Sequence, residues 1–146
     1  MSNTANDCIF CKIIANEIPS YTIFEDEIVK AFLDLSQVNP GHVLVIPKKH
    51  LPDIYAYNSE YAGQVFARVP VIARAIRDSN PQIKGMNICL NNGKIAYQTV
   101  LHSHIHLIPR YSEQDGVLMK WADNTDKYDN EKLTQIAQAI QSKLGD

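Results

Sequence analysis

The stretch Leu101-His102-Ser103-His104-Ile105-His106-Leu107-Ile108 places a histidine at every second position of a largely apolar segment. Side chains alternate between the two faces of a β-strand, so a strand over 102–108 lines its three imidazoles along one face. Ile105 and Leu107 then point to the opposite face, where they can pack beneath a helix. Buried imidazoles need partners for both ring nitrogens and act as nucleophiles, acids or metal ligands near neutral pH. The pattern therefore indicates a strand with a chemical role.

Two other interpretations of this strand compete with that one. A single histidine on a strand is more often a structural residue, but three at alternating positions favour function. A metal ion held by all three is disfavoured, because positions i to i+4 of a strand span roughly 13 Å. At most two neighbouring imidazoles could share one ion.

The sequence around this strand predicts an α+β fold. Short segments rich in β-branched and aromatic residues predict strands, and apolar residues at helical spacing predict two main helices. The expected strands cover 21–25, 28–33, 42–46, 87–90 and 102–108, and the expected helices cover 59–80 and 133–144, with a helical turn at 9–14. We therefore expect about five antiparallel strands and two main helices.

Composition narrows the class of protein. A chain of 146 residues with 45% hydrophobic and 21% charged residues is suited to one globular domain and excludes wholesale disorder. A net charge of -2 argues against a protein that binds the nucleic acid backbone through a large positive charge. No apolar run is long enough to span a bilayer, and residues 1–7 do not resemble a signal peptide. We expect a cytoplasmic protein that binds neither nucleic acid nor membrane.

The three cysteines do not suggest a disulfide framework, because an odd number leaves one thiol over. Cys8 and Cys11 form a C-x-x-C pair, which is typical of a zinc site, a redox pair or two free thiols. A redox pair usually follows a strand, and no strand is expected before Cys8. Cys89 lies in a predicted strand, where we expect it to be buried.

Several segments in register with the histidine stretch resemble the histidine triad (HIT) family, in its bacterial-type branch related to the histidine triad nucleotide-binding proteins. The resemblance covers about residues 7–110, and 111–146 match more loosely as a C-terminal loop and helix. It implies a HIT-like fold and a single HIT domain over 1–146. The segments that carry it, besides the histidines, are Cys8–Ile13, Glu17–Ser20, Phe24–Glu27, Ala31–Asp34, Gly41–His50, Asn91–Gly93 and Gln98–Val100.

The resemblance implies hydrolysis or transfer at the α-phosphate of nucleotide conjugates, such as adenosine phosphoramidates or dinucleoside polyphosphates. His104 is then the nucleophile that forms a nucleotidyl-histidine, and no catalytic metal is required. The implied catalytic residues are His102, His104, His106 and Gln98. The alternative is a nucleotide-binding regulatory or scaffold protein with only residual hydrolase activity.

The same resemblance implies a purine nucleotide pocket. Asp34 accepts hydrogen bonds from the ribose hydroxyls, and an apolar slot holds the base, although plain core packing is about as good an explanation for each slot residue alone. The slot comprises Ile9, Phe10, Ile13, Phe32 and Leu35. Around the phosphates lie Asn91, Gly93, Gln98, Thr99, His104 and His106.

A structural zinc site is also expected. His50 and His102 complete a tetrahedral set with Cys8 and Cys11, and relatives in the superfamily use the first histidine of the triad as a ligand. That assignment leaves His104 free for chemistry.

Three further expectations concern assembly and departures from the family pattern. The resemblance implies a homodimer that pairs the long helix and a sheet edge. Tyr97 stands where the family commonly has glycine, next to the phosphate loop. Trp121 either caps a pocket of the partner or only packs, and His42 lies near the triad, where it supports His106 or His102 or is purely structural.

Overall fold

A five-stranded antiparallel sheet is the centre of this computed structural model, which describes residues 7–145. The strands are β1 (Thr22–Glu25), β2 (Val29–Leu33), β3 (Val43–Pro47), β4 (Gly85–Leu90) and β5 (Ile105–Arg110). They lie in the order β1-β2-β3-β5-β4, so β5 is inserted between β3 and β4. The expected α+β class with five antiparallel strands is confirmed. Residues 1–6, which bear on the expected absence of a signal peptide, lie outside the described residues.

Polar turn residues set the register of the first strands. In the β1–β2 hairpin, the Asp26 carboxylate accepts hydrogen bonds from the backbone N–H groups of Ile28 and Val29. Gly41 precedes β3 with φ +95°, a conformation that side-chain-bearing residues rarely adopt. A Cβ there would also lie 3.1 Å from the Pro109 side chain. The turn at Asn39-Pro40-Gly41 thus starts the central strand.

Helix α2 (Ser59–Ser79) packs against one face of the sheet. It buries a row of residues at helical spacing, which are Tyr61, Val65, Val69, Ile72 and Ile76. These contact β-strand side chains that include Val43, Ile105 and Leu107. The helix begins after Asn58, whose side chain accepts a hydrogen bond from the Tyr61 N–H. Pro70 lies inside the helix, which runs on to Ser79.

Helix α1 (Ile9–Ile14) packs on the opposite face. Phe10, Cys11 and Ile13 are buried there against Phe32, Leu44 and Ile46. The buried Lys30 ammonium on β2 donates hydrogen bonds to the Ile13 carbonyl at 3.0 Å and to Asn16 at 3.2 Å. This contact fixes the end of α1 over the sheet, and the histidines lie beneath the same helix.

The predicted strand over 102–108 is partly wrong, because β5 begins only at Ile105. The Ser103 N–H donates a 2.7 Å hydrogen bond to the Leu51 carbonyl, so this part of the chain is bonded to a loop instead of a strand. The prediction of a buried Cys89 is also wrong, since its thiol is exposed. Cys89 lies opposite His106 on the edge strand β4.

Helix α3 (Asn130–Gln141) follows a long irregular segment. The predicted helix extends to Leu144, which lies beyond the observed end. All residues from 118 to 145, here called the C-terminal arm, are exposed. None of the helices formed by the described residues is long and apolar enough to cross a membrane.

Candidate functional site

His104 is buried beneath α1 with one ring nitrogen committed to the backbone. Its Nδ1–H donates a 2.8 Å hydrogen bond to the carbonyl of His102. Burial lowers the pKa of His104, and the His102 carbonyl and the Asp34 charge offset this only in part. The ring is therefore neutral near pH 7, and the tautomer leaves Nε2 with a free lone pair. Such a nitrogen can act as a nucleophile.

His42 and His106 form a hydrogen-bonded pair beside His104, in which the donor and the acceptor can be assigned. The Val38 N–H donates to His42 Nδ1 at 3.3 Å, so the proton of neutral His42 is on Nε2. That Nε2–H donates to His106 Nδ1 at 2.9 Å, which places the His106 proton on its own Nε2. Burial lowers the pKa of His42, and it lowers the pKa of His106 to about 4. The pair thus presents a neutral imidazole with an outward N–H donor.

A pocket of about 200 Å³ lies between α1 and β2. It brings together all six residues expected to contact the base and ribose, which are Ile9, Phe10, Ile13, Phe32, Asp34 and Leu35. The Phe10 ring lies edge-on to the His104 ring with centroids 5.1 Å apart, so the pocket adjoins the histidine. Asp34 Oδ2 is 3.6 Å from His42 Nε2, which connects the pocket to the His42–His106 pair.

The loop after β4 contains the expected phosphate contacts, but Gln98 is used differently there. Its buried amide donates to the Pro52 carbonyl at 2.5 Å and to the Val100 carbonyl at 3.0 Å. Its Oε1 accepts a 2.8 Å hydrogen bond from the Gly93 N–H. Gln98 therefore stabilises this loop, because both N–H donors of its amide are hydrogen-bonded to backbone carbonyls. Asn91 is half-buried and Gly93, with φ +92°, is exposed.

Thr99 lies at the other side of this loop. It lines a second cavity, of about 470 Å³, together with Val100, Leu101, Cys8 and His50. The cavity therefore extends from the loop to the C-x-x-C pair.

The four residues expected to hold zinc do converge. Donor atoms of Cys8, Cys11, His50 and His102 all lie within 4.8 Å of one another. His102 Nδ1 is 3.5 Å from each Sγ and 3.2 Å from His50 Nδ1, and Cys11 Sγ is 3.1 Å from His50 Nδ1. Metal–ligand bonds of about 2.0–2.3 Å in a tetrahedron give ligand separations of roughly 3.3–3.8 Å. The donor set and its spacing fit a zinc ion.

The second nitrogen of His102 supports the same interpretation. Its Nε2–H donates to the Pro47 carbonyl at 2.9 Å, which directs the Nδ1 lone pair at the two sulfurs. Burial lowers the pKa of His102 to about 4, so the ring is neutral, as a metal ligand must be. The ring of His102 thus faces Cys8, Cys11 and His50, while its carbonyl accepts the hydrogen bond from His104.

Some contributors to the site were not predicted. Asn92 accepts a hydrogen bond from the Ile54 N–H at 2.8 Å and thereby connects the loop after β4 to the loop that follows His50. The backbone carbonyls of Pro47 and Pro52 orient His102 and Gln98, and no side-chain pattern identifies a carbonyl acceptor. Tyr97 is exposed in a left-handed conformation, and Trp121 is exposed on the C-terminal arm.

Known proteins from several organisms are similar to this chain. The family model described as the HIT domain matches residues 15–113. The chain is 51% identical over 140 residues to "Protein hit" of Bacillus subtilis, covering 96% of both chains. It is 36% identical to adenosine 5'-monophosphoramidase HNT1 of Saccharomyces cerevisiae, covering 94% of this chain and 82% of that one. It is 35% identical to adenylylsulfatase HINT3 of Arabidopsis thaliana, covering 97% and 69%.

Solved structures match along almost the whole chain. A HIT family member from Bacillus subtilis superposes with a TM-score of 0.93 at 49% identity, covering 97% of this chain and 99% of that one. A HIT family protein from Bacillus anthracis gives 0.92 at 48% identity, covering 97% and 100%. A Zn-bound histidine triad family protein from Mycobacterium smegmatis gives 0.71 at 35% identity, covering 91% and 97%.

Proposed function

This chain belongs to the histidine triad family, and from that premise we propose that it hydrolyses nucleotide conjugates at the α-phosphate. The observation that carries the proposal is the 2.8 Å hydrogen bond from His104 Nδ1–H to the His102 carbonyl. It leaves Nε2 of a neutral, buried imidazole unprotonated next to a pocket that ends in a carboxylate. A nucleophile and a nucleoside-sized pocket lie side by side.

The proposed reaction has two displacement steps. His104 Nε2 attacks the α-phosphorus, a phosphorus–nitrogen bond forms, and the bond to the leaving group breaks with its electron pair. The leaving group takes up a proton from solvent, and the His106 Nε2–H donates a hydrogen bond to the phosphate oxygens as the charge shifts. Water then attacks the nucleotidyl-histidine, releases the nucleoside monophosphate and restores free His104. If another acceptor replaces water, the same intermediate gives a transfer reaction.

Recognition of the nucleoside follows from the pocket. Asp34 accepts hydrogen bonds from ribose hydroxyls, and the apolar walls from α1 and β2 hold a purine base. Two relatives, from yeast and Arabidopsis, are named as an adenosine 5'-monophosphoramidase and an adenylylsulfatase. These names support adenosine phosphoramidates as the first substrate class to assay, with dinucleoside polyphosphates next.

We further propose that Cys8, Cys11, His50 and His102 hold a structural zinc ion. When bound, zinc supplies a closed tetrahedral cross-link and no catalytic step. The similarity of this chain to the zinc-bound histidine triad family protein from Mycobacterium smegmatis supports the proposal. Thiolate ligands persist in a reducing compartment, which supports a cytoplasmic location.

We also propose a homodimer. β4 is an edge strand whose neighbour on one side is β5, and Ile88 on this strand is half exposed. Phe66 and Val71 on the outer face of α2 are exposed as well. Exposed apolar residues on an edge strand and on the helix beside it are typical of a two-fold interface.

The activity is tested with His104→Asn. We expect this variant to bind AMP with an affinity within a few fold of the wild type. Release of AMP from adenosine phosphoramidate should fall by a factor of roughly 10⁴ or more, because the nucleophile is absent. Acid-labile, base-stable labelling of the wild type with radioactive nucleotide, absent from the variant, would identify the intermediate.

Gln82→Asn, a change on the exposed turn after α2, is the control and should leave turnover unchanged. Equal turnover in wild type and His104→Asn would refute the proposed hydrolase. A wild type that binds AMP without turnover on either substrate class would favour the nucleotide-binding scaffold instead.

A further inference from the structure

The peptide unit between His102 and Ser103, here called the 102–103 peptide unit, is hydrogen-bonded at both ends. Its carbonyl oxygen accepts the 2.8 Å hydrogen bond from His104 Nδ1–H, and its N–H donates a 2.7 Å hydrogen bond to the Leu51 carbonyl. Because a peptide unit is planar, the directions of its C=O and N–H groups change together. A contact that fixes Ser103 therefore also fixes the acceptor that determines the tautomer of His104.

The 102–103 peptide unit lies outside the sheet. β5 begins at Ile105, where it lies opposite Val45 of β3 and Leu90 of β4. The 102–103 peptide unit comes earlier in the chain, ahead of both strand pairings. Its position therefore depends on contacts with the loop 51–57, which follows the proposed zinc ligand His50.

Tyr57, at the end of this loop, contacts the side chain of Ser103. The hydroxyl groups of Tyr57 and Ser103 are 2.9 Å apart and share a hydrogen bond. Ser103 is fully buried, and a buried hydroxyl that loses its partner is destabilising. The Tyr57 ring packs in turn against the rings of Tyr61 and Phe66 on α2, with centroids 6.1 and 6.4 Å apart. The hydroxyl of Tyr57 is thus held in place by α2, and it holds Ser103.

The loop 51–57 is also fixed on its other side. The Pro52 carbonyl accepts a hydrogen bond from the Gln98 amide, and the Ile54 N–H donates to the Asn92 side chain at 2.8 Å. Gln98 and Asn92 both belong to the loop after β4, where the phosphate contacts are expected. The loop 51–57 therefore connects the expected phosphate contacts to the peptide unit that orients His104.

We propose that Tyr57 is a positioning residue for the nucleophile, an inference that rests on the proposed hydrolysis. Through Ser103, its hydroxyl keeps the His102 carbonyl on His104 Nδ1–H. The lone pair then stays on Nε2, the atom proposed to attack the α-phosphorus. Tyr57 packs on the α2 side of the sheet, whereas the nucleoside pocket lies between α1 and β2. Tyr57 therefore affects the chemical step and not the binding of the nucleoside.

The variant Tyr57→Phe tests this role, because it removes the hydroxyl and keeps the ring. With enzyme in excess, we expect the single-turnover rate of adenosine phosphoramidate cleavage to fall about fivefold or more, since the nucleophile is misplaced. The Kd for AMP should change less than about twofold. Tyr55→Phe removes an 84% exposed hydroxyl from the same loop and should leave both values unchanged.

A double-mutant cycle tests whether Tyr57 acts through Ser103. Ser103→Ala removes the other partner of the hydrogen bond. If the two hydroxyls act as one unit, the double variant Tyr57→Phe with Ser103→Ala cleaves no more slowly than the slower single variant. A double variant whose rate loss equals the product of the two single losses would overturn the proposal, because the two residues would then act separately.

The ring of His104 provides a measurement that a loss of stability alone does not change. In ¹⁵N-labelled protein, long-range ¹H–¹⁵N correlation spectra distinguish the two tautomers of neutral imidazole, and the signals absent from His104→Asn assign this ring. We expect two widely separated ring-nitrogen shifts in the wild type, with the proton on Nδ1, and shifts closer together in Tyr57→Phe. Ile76→Val truncates a buried residue of α2 and lowers thermal stability, but it should leave these shifts unchanged.

Failure of this inference and failure of the proposed hydrolysis give different results. If the wild type cleaves the substrate and Tyr57→Phe retains either its rate or its ring-nitrogen shifts, the positioning role is refuted and the hydrolase stands. If the wild type cleaves neither class of nucleotide conjugate, the hydrolase is refuted. The ring-nitrogen shifts then decide alone whether Tyr57 sets the tautomer of His104.

Discussion

Tyr97 is the residue whose backbone least suits its side chain. It has φ +70° and ψ +24° at the end of a short 3₁₀ turn, a region that disfavours residues with a Cβ. Its side chain is 83% exposed, so packing does not compensate. Asn16 shares the positive φ, but asparagine tolerates it, and its side chain accepts a hydrogen bond from Lys30. The departure from glycine at Tyr97 therefore has a cost in stability.

We expect Tyr97→Gly to raise the free energy of unfolding by about 1 kcal/mol, because glycine adopts positive φ without strain. Urea denaturation followed by circular dichroism measures the change. Asn16→Gly is the matched control, and it should lower stability because it removes the Lys30 contact. If Tyr97→Gly destabilises the protein, the exposed ring makes a stabilising contact outside this chain.

His42 and His106 make stability depend on pH. Both have pKa values lowered by burial, that of His106 to about 4, whereas in the unfolded chain each titrates near 6.5. Between these values the unfolded state binds more protons than the native state. The stabilisation is therefore complete above pH 6.5 and is lost as the pH falls towards 4.

For His106 alone, we expect the free energy of unfolding to fall by about 2 kcal/mol between pH 7 and pH 5. Urea midpoints at both pH values measure this in the wild type. His106→Gln retains a polar side chain without a titrating group and should show a smaller fall. An equal fall in both proteins would mean that other titrating groups, such as the proposed zinc ligands, dominate.

At the scale of elements, the first residues of α1 serve two purposes. Cys8 is the N-cap, because its sulfur accepts a 3.3 Å hydrogen bond from the Cys11 N–H, and it is also a member of the proposed zinc site. Cys11 lies in the same helix, whereas His50 comes from the loop after β3 and His102 from the segment before β5. A metal bound there would join α1 to two parts of the sheet that are distant in sequence.

We expect protein purified without a metal-affinity tag to contain about one zinc per chain by mass spectrometry. Cys8→Ser keeps a good N-cap but lacks the thiolate, so it should lose zinc and melt at a lower temperature. Cys89→Ser changes an exposed thiol outside the cluster and should retain both zinc and melting temperature. Unchanged melting of the wild type after chelation would contradict a structural zinc ion.

At the scale of the whole molecule, the pattern of apolar residues in the sequence predicts the features that depend on neighbouring residues, such as the buried face of a helix or strand. The spacing of apolar residues predicts the buried face of α2, and the alternation after His104 puts Ile105 and Leu107 beneath that helix. The structure also brings together the residues of the pocket and the four residues of the proposed zinc site, as the family resemblance implies.

The errors concern contacts between distant segments. The Ser103 N–H donates to the Leu51 carbonyl and therefore forms no strand hydrogen bond at the expected position. The Gln98 amide donates to the Pro52 and Val100 carbonyls. None of these three carbonyl acceptors is visible in a side-chain pattern. Cys89 is expected to be buried because its strand is apolar, but the sequence does not reveal that the strand lies at the sheet edge.

The hydrogen bonds that orient the histidines have a consequence for how this site changes through mutation. Three of them end on main-chain groups, namely the carbonyls of His102 and Pro47 and the N–H of Val38. A substitution at position 47 leaves the carbonyl in place, and at position 38 only proline would remove the N–H. Substitutions at the supporting positions therefore leave the tautomers of the histidines unchanged. In a library of variants, we expect the positions that do not tolerate substitution to be the histidines themselves.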